Sequence, residues 1–300
     1  MNIRRDLHFN PTEETDKLCK FISDSVKNFK SKGIVLGLSG GIDSACVCAL
    51  AVRAIGSDKV FCLMLPEQDS DPKSEEDAII VAKQYGVKTK TIDITSVLEA
   101  FKIYELIPKN FFSHREQVAK LVRIGYSLFP KGHSPFVGGF KGTKLGIQRQ
   151  IQAYYRVKHR VRMLYLYYYG EQLDYLVAGT SNKTEYLTGF FVKYGDGAAD
   201  IMPIINLYKT QVRKLSEHLG VPKQVIDKPP VPDLIPGLED ERVIGLSYEK
   251  LDSVLVGIMS SKSTSEISNE LELSVSAVDY VKNIIDLSKL LRSVPYMPDA

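Results

Sequence analysis

Along the first hundred positions, short unbroken apolar runs alternate with stretches whose apolar residues recur every three or four places. GIVLGL, at 33–38, is bounded by glycine and has no polar alternation, the pattern of a strand buried on both faces. A helix is expected before it, over about 12–29. After it, ACVCALAVRAIG (45–56) has helical length and a stop at Gly56, KVFCLML (59–65) reads as a second strand, SEEDAIIVAKQYG (74–86) as an amphipathic helix ended by Gly86, and KTKTIDI (88–94) as a third strand. This βαβαβ order predicts an α/β fold built on a doubly wound parallel sheet.

Between about 101 and 150 the pattern blurs. Prolines and glycines crowd FPKGHSPFVGGFKGTKLG (129–146), which excludes a regular helix or central strand there and suggests an insertion or lid. YYRVKHRVRMLYLYYYG (154–170) then reads as a long helix and LDYLVAGT (173–180) as another strand. From Lys209 onward the pattern is mostly helical, interrupted by KPPVPDLIPG (228–237), giving a helical C-terminal part.

Charge adds one feature. The net charge is +3, but residues 101–160 hold twelve Lys and Arg against two Asp and Glu, so that segment is +10 and the remainder −7. Such a concentration suits phosphate-bearing partners, or a solvated face balanced by acids elsewhere. No stretch has the apolar length of a membrane span, and MNIRRDLHFN is not a signal peptide, so a cytoplasmic protein without membrane contact is expected. Cys19, Cys46, Cys48 and Cys62 lack CxxC spacing and read as buried free thiols.

The candidate chemistry begins where the first strand ends. In LSGGIDSA (38–45), Gly40 and Gly41 allow backbone N–H groups to approach an oxyanion, the helix that follows offers its positive end, and Ser39 and Ser44 add hydroxyls. The stretch fits neither the Walker loop nor the dinucleotide fingerprint. It resembles the SGGxDS pyrophosphate loop of the N-type ATP pyrophosphatases, enzymes of adenine nucleotide alpha hydrolase-like fold that adenylate a substrate oxygen and let a nucleophile displace AMP. A second match narrows the resemblance. Residues 179–211 carry Gly179, Thr180, Glu185, Gly189, Phe190, Phe191, Lys193, Tyr194, Gly195, Asp196, Gly197, Asp200, Pro203, Leu207, Lys209 and Gln211 in the ungapped pattern GTxxxxExxxGFFxKYGDGxxDxxPxxxLxKxQ of NAD synthetases. VKHRVRM (157–163) resembles their KARxRM helix, and GLSYEKLD (245–252) their GxSYxxxD.

The resemblance implies ATP-dependent amidation of deamido-NAD⁺ to NAD⁺ through an acyl-adenylate, by a homodimer. It implies Asp43 and Glu185 as Mg²⁺ ligands, with Ser39, Gly40, Gly41, Asp43, Ser44, Thr180 and Lys209 on ATP. It further implies Arg160, Phe190, Lys193 and Asp200 on the dinucleotide, and Asp196 with Lys209 in catalysis, Asp196 taking a proton from ammonia. Residues 1–260 would form the ATP pyrophosphatase domain with its basic insertion, and 261–300 a helical extension packed on it. No nitrilase-type segment is present and Cys19 has no glutaminase context, so free ammonia is the expected nitrogen source.

Departures touch the substrate side. No arginine precedes the LP of LMLPEQDSDP, Val231 replaces a threonine, and Leu290 and Leu291 replace a His-Lys pair, leaving Arg292 and Pro295. They leave room for another carboxylate as substrate, and the basic insertion leaves room for tRNA. A rival of another class comes from residues 263–287, whose helix–turn–helix spacing is that of a DNA-binding protein. Only Lys262 and Lys282 could reach phosphates there, amid several acids, which argues against a nucleic-acid partner.

Overall fold

Strands β1 (Gly33–Gly37), β2 (Val60–Met64), β3 (Lys88–Thr91) and β4 (Tyr175–Val177) form a parallel sheet in the order β3-β2-β1-β4. In this computed structural model the described residues are 3, 7–105, 146–229 and 240–292. Most of the basic insertion, the stretch that includes Val231, and the segment with Pro295 lie outside them.

Ile34 pairs with Val60 on one side and Leu176 on the other, so β1 is central and its side chains point alternately to two covered faces. Ile34, Leu36, Cys62 and Met64 pack against α1 (Pro11–Asn28), α2 (Ile42–Ile55), α3 (Pro72–Tyr85) and α7 (Lys209–Leu219). Val35, Leu63 and Val177 pack against α4 (Thr95–Ala100) and α5 (Gly146–Leu173). Burial on both faces explains why the strands read as unbroken apolar runs. β3 is the exception: all four residues are exposed, and Lys88 and Lys90 charge an edge that could otherwise pair with another chain.

Local signals set the helix limits. Asn10 accepts the Thr12 N–H at 3.1 Å and Pro11 takes the first turn of α1. Asp71 accepts the Lys73 N–H at 3.0 Å to start α3, and left-handed Gly86 ends it. Two limits differ from the sequence pattern. The long helix starts at Gly146 rather than Tyr154, because IQRQIQA is composed of tolerant helix formers with little apolar stripe to reveal it. The third strand stops at Thr91, and Asp93 accepts the Thr95 N–H at 2.8 Å to open α4, a helix too short for periodicity to mark.

The helical C-terminal part comprises α6 (Lys183–Thr188), α7, α8 (Lys223–Ile226), α9 (Asp240–Ile244), α10 (Tyr248–Met259), α11 (Thr264–Leu271) and α12 (Val275–Arg292). A second core joins Leu187 of α6 and Tyr208 to Leu251, Leu255, Ile267, Val278 and Val281. Ser288 Oγ also donates to the Leu187 carbonyl at 2.8 Å. The last helices thus hold α6, and α6 carries Glu185. The lysines that suggested DNA contact are engaged locally, Lys262 with Glu270 and Lys282 with Thr264 Oγ1 at 2.6 Å.

Candidate active site

Successive strands run to one side of β1 as far as β3, and β4 returns on the other side. The switch point, where such sheets bind ligands, is therefore at the carboxyl ends of β1 and β4. β1 continues to Leu38, whose N–H donates to the Leu63 carbonyl at 2.8 Å, and then turns sharply. Gly40 has φ +74°, and a Cβ there would lie 2.1 Å from the Ser74 carbonyl oxygen, so glycine is required on two counts. Ser44 Oγ donates to the Gly41 carbonyl at 2.9 Å and sits 3.2 Å from Ser39 Oγ, itself an acceptor for the Gly41 N–H at 3.3 Å. The two serines brace the turn. Ser44 is buried, so bracing is the role its contacts describe. Among the described residues no side chain caps α2, whose N-cap is Gly41, leaving its positive end open to an anion; Asp43 lies in its first turn.

Asn182, after β4, joins the two strand ends. Its Oδ1 accepts the Glu185 N–H at 3.0 Å, Glu185 Oε2 accepts the Asn182 N–H at 3.2 Å, and its Nδ2 donates to Asp43 Oδ1 at 2.9 Å. This capping box fixes Glu185 one turn into α6. The Lys209 ammonium donates to Asp43 Oδ2, lies 3.7 Å from Glu185 Oε1, and stands 5.5 Å from the centre of the Tyr248 ring. Asp43 and Glu185, 142 positions apart in sequence, thus face one cation. Lys209 is placed from behind: its N–H donates to Thr184 Oγ1 at 3.0 Å, Thr184 donates to buried Asp252 at 2.5 Å, and Asp252 accepts the Thr210 N–H at 2.8 Å.

Burial and the neighbouring Asp43 carboxylate push Glu185 up to about 8, against the pull of Lys209. Burial pulls Lys209 down, but Asp43, Glu185 and Asp240 outweigh it and hold the ammonium above its usual range. Burial also raises Asp240 and Asp252 to about 6. Asp240 Oδ2 accepts the Tyr248 hydroxyl at 2.8 Å, while its buried Oδ1 has no hydrogen-bond partner among the described residues.

A second group lies under the glycine-rich loop. Arg160 Nε donates to the Lys193 carbonyl at 3.2 Å, Asp196 Oδ1 accepts the Val192 N–H at 2.7 Å, and Ser181 Oγ donates to the Asp196 carbonyl at 3.3 Å. Ser181 precedes Asn182, so this loop is tied to the first group through two adjacent residues. Thr180 occupies the same turn between β4 and α6. Phe190 packs against the second core, whereas Phe191 stacks on Tyr186 with ring centres 6.0 Å apart, and the Arg292 guanidinium lies 5.6 Å from the Tyr186 ring centre. The Lys193 ammonium sits 5.1 Å from the Tyr194 ring centre. Asp200 is engaged with the free edge of β4, where Oδ2 accepts the Val177 N–H at 2.8 Å.

Asp252 and Lys158 stand at fixed positions of the GxSYxxxD and KARxRM patterns, but nothing in the sequence shows that Asp252 meets Thr184 or that Lys158 lies in a buried network beyond β2. There Lys158, 1 % exposed, donates to Glu67 at 2.9 Å and Asp69 at 2.6 Å, and Tyr104 donates to Glu67 at 2.9 Å. These partners lie up to 91 positions apart. Asn182 had a local signal, an Asn three residues before a Glu.

A serine- and glycine-braced anion loop at the switch point of a parallel sheet, faced by two acids and a lysine, defines a nucleotide-using enzyme of adenine nucleotide alpha hydrolase-like fold. The sequence profile of the NAD synthase family matches residues 14–122 and 141–295. The NH(3)-dependent NAD(+) synthetase of Thermotoga maritima is 40 % identical over 281 residues, covering 93 % of this chain and 97 % of its own. Among solved structures, an NMN synthetase from Francisella tularensis superposes with TM-score 0.73 at 29 % identity, covering 98 % of this chain and all of its own. The NH3-dependent NAD synthetase of Campylobacter jejuni, solved with a nitrate ion, gives TM-score 0.70 at 28 % identity, over 97 % of this chain and all of its own. The chain belongs to the NAD synthase family.

Proposed function

We propose that this site runs the amidation of deamido-NAD⁺ in two half-reactions, with residue roles that the family resemblance implies and the geometry above supports. The enzyme is a C–N ligase of the ammonia-dependent kind, using ATP as co-substrate and forming NAD⁺. In the first half-reaction the nicotinate carboxylate attacks the α-phosphorus of ATP, forming the acyl-adenylate and releasing pyrophosphate. Gly40, Gly41 and the open end of α2 receive phosphate oxygens on a turn that Ser39 and Ser44 keep rigid. Lys209, fixed by Thr184 and Asp252, offsets negative charge growing on the leaving pyrophosphate.

Among the described residues no three His, Cys, Asp or Glu side chains gather to hold a metal alone. Asp43 and Glu185 supply two oxygen donors, which suits a Mg²⁺ that takes its other ligands from phosphate and water. When bound there, Mg²⁺ would neutralise phosphate charge. In the second half-reaction ammonia attacks the activated carbonyl and AMP leaves. Asp196 takes the proton released, on a loop that Arg160 and Ser181 hold. Lys193 and Phe190 or its neighbour Phe191 contact the dinucleotide, and the protein works as a cytoplasmic homodimer.

The convergence of Asp43 and Glu185 on Lys209 carries this reading. The test is a product assay with ATP, Mg²⁺, ammonium and either deamido-NAD⁺ or the mononucleotide carboxylate. NAD⁺, AMP and pyrophosphate are expected in equal amounts from deamido-NAD⁺. Turnover of the mononucleotide alone would move the substrate assignment, and no AMP from either would sink the adenylation chemistry.

A further inference from the structure

His159 stands where the KARxRM pattern has alanine, and it lies directly beneath the loop that carries Asp196. A Cβ on Gly195 would come within 2.8 Å of the His159 Cβ, so the loop can rest this closely only because that residue is glycine. His159 Nδ1 is 3.7 Å from Asp196 Oδ1, the oxygen that also accepts the Val192 N–H. Its Nε2 is closed off from solvent and has no hydrogen-bond partner among the described residues. Arg160, the next residue, holds the same loop through the Lys193 carbonyl. Helix α5 therefore meets the loop at two consecutive residues, Arg160 through a hydrogen bond to backbone and His159 with its imidazole beside the carboxylate.

We propose that His159 is a positioning residue for the ammonia step: a neutral imidazole whose Nδ1–H faces Asp196 Oδ1 and leaves Oδ2 as the oxygen that takes the proton. This rests on the assignment of Asp196 given above. The charged groups facing the ring are Asp196 from the loop and Arg162 and Lys158 from its own helix. Burial lowers the imidazole's pKa from its usual value, Asp196 opposes this, and the two cations add to it, so the ring is neutral at pH 7. At lower pH a second proton makes His159 a cation against Asp196, which weakens that carboxylate as a base. An enzyme with alanine at this position has no such acid limb.

The experiment measures NAD⁺ formation from pH 5.5 to 9 with ammonium varied, ATP and deamido-NAD⁺ saturating, and KM expressed as free ammonia. Wild type, H159A, H159Q and D196N are compared, each with a thermal melt. H159A should raise KM for ammonia about tenfold while KM for ATP and the dinucleotide stays within about twofold. H159Q, which keeps an N–H but does not titrate, should recover most of the pH 8 activity and lack the wild-type acid limb. If D196N is impaired while both His159 variants keep the wild-type ammonia KM and acid limb, the His159 assignment is overturned alone. Losses in H159A that spread equally over all three substrates and follow Tm would also overturn it, as packing. If D196N is unaffected, the assignment of Asp196 beneath it falls as well. Should H159A melt too low to assay, the H159Q pH profile decides.

Discussion

Replacing Lys209 by methionine is expected to lower kcat for NAD⁺ formation about 10³-fold, the scale for removing a group aimed at charge that develops in the transition state. The loss should appear equally in pyrophosphate exchange into ATP supported by deamido-NAD⁺, which reports the first half-reaction without ammonia. Methionine keeps the stem that fills the space beside Tyr248 but leaves Asp43 and Glu185 facing each other without their shared cation. Breaking a buried ion pair destabilises by about 3–5 kcal/mol when the remaining charge stays ionised. Glu185 relieves part of this by keeping a proton, since it already titrates near 8. The variant should therefore fold at neutral pH and fail in chemistry. Exchange at the wild-type rate would assign Lys209 to structure alone.

Glu185→Gln should separate stability from activity in opposite directions. A carboxyl at about 8 in the folded protein and near 4.5 unfolded leaves the folded state holding more protons between those values. Stability from this group is therefore lost as pH rises through that window. The slope is at most about 1.36 kcal/mol per pH unit, which bounds the loss at about 5 kcal/mol. Glutamine cannot titrate, so the variant's ligand-free denaturation midpoint should fall less between pH 5 and pH 8. It should be the more stable protein at pH 8. Asp240 and Asp252, raised to about 6, add a drop of the same sign below that pH in both proteins. Activity should move the other way, about 10²-fold down in kcat with a higher Mg²⁺ requirement, because one charged oxygen donor is gone. A variant that matches wild type in both pH dependence and Mg²⁺ requirement would contradict the role given to Glu185. The pairing fits a general pattern in which active sites hold like charges together at the expense of stability.

The first half of the sheet was legible because its signals are local: buried strands read as apolar runs, and the turn at Gly40 must be glycine for steric reasons visible in the residue itself. Glu185 was legible through the motif, and its capping box with Asn182 follows from spacing alone. What escaped depends on residues far apart in sequence. Nothing near Thr184 announces that Asp252 will anchor it, and nothing near Lys158 announces Glu67 and Asp69. The early start of α5 escaped for a different reason, since a helix of polar helix formers carries little periodicity to read. For Asp200, the motif gives identity but not geometry. Its carboxylate completes the edge of β4, a demand that arises only once the sheet exists.

Crystals of the protein soaked with Mn²⁺ and a non-hydrolysable ATP analogue, measured at the manganese edge, bear most directly on the account. It predicts one anomalous peak in contact with both Asp43 and Glu185, within about 2.3 Å of a carboxylate oxygen of each and of a phosphate oxygen. A peak that touches neither carboxylate, with the triphosphate bound away from Gly40 and Gly41, would contradict it.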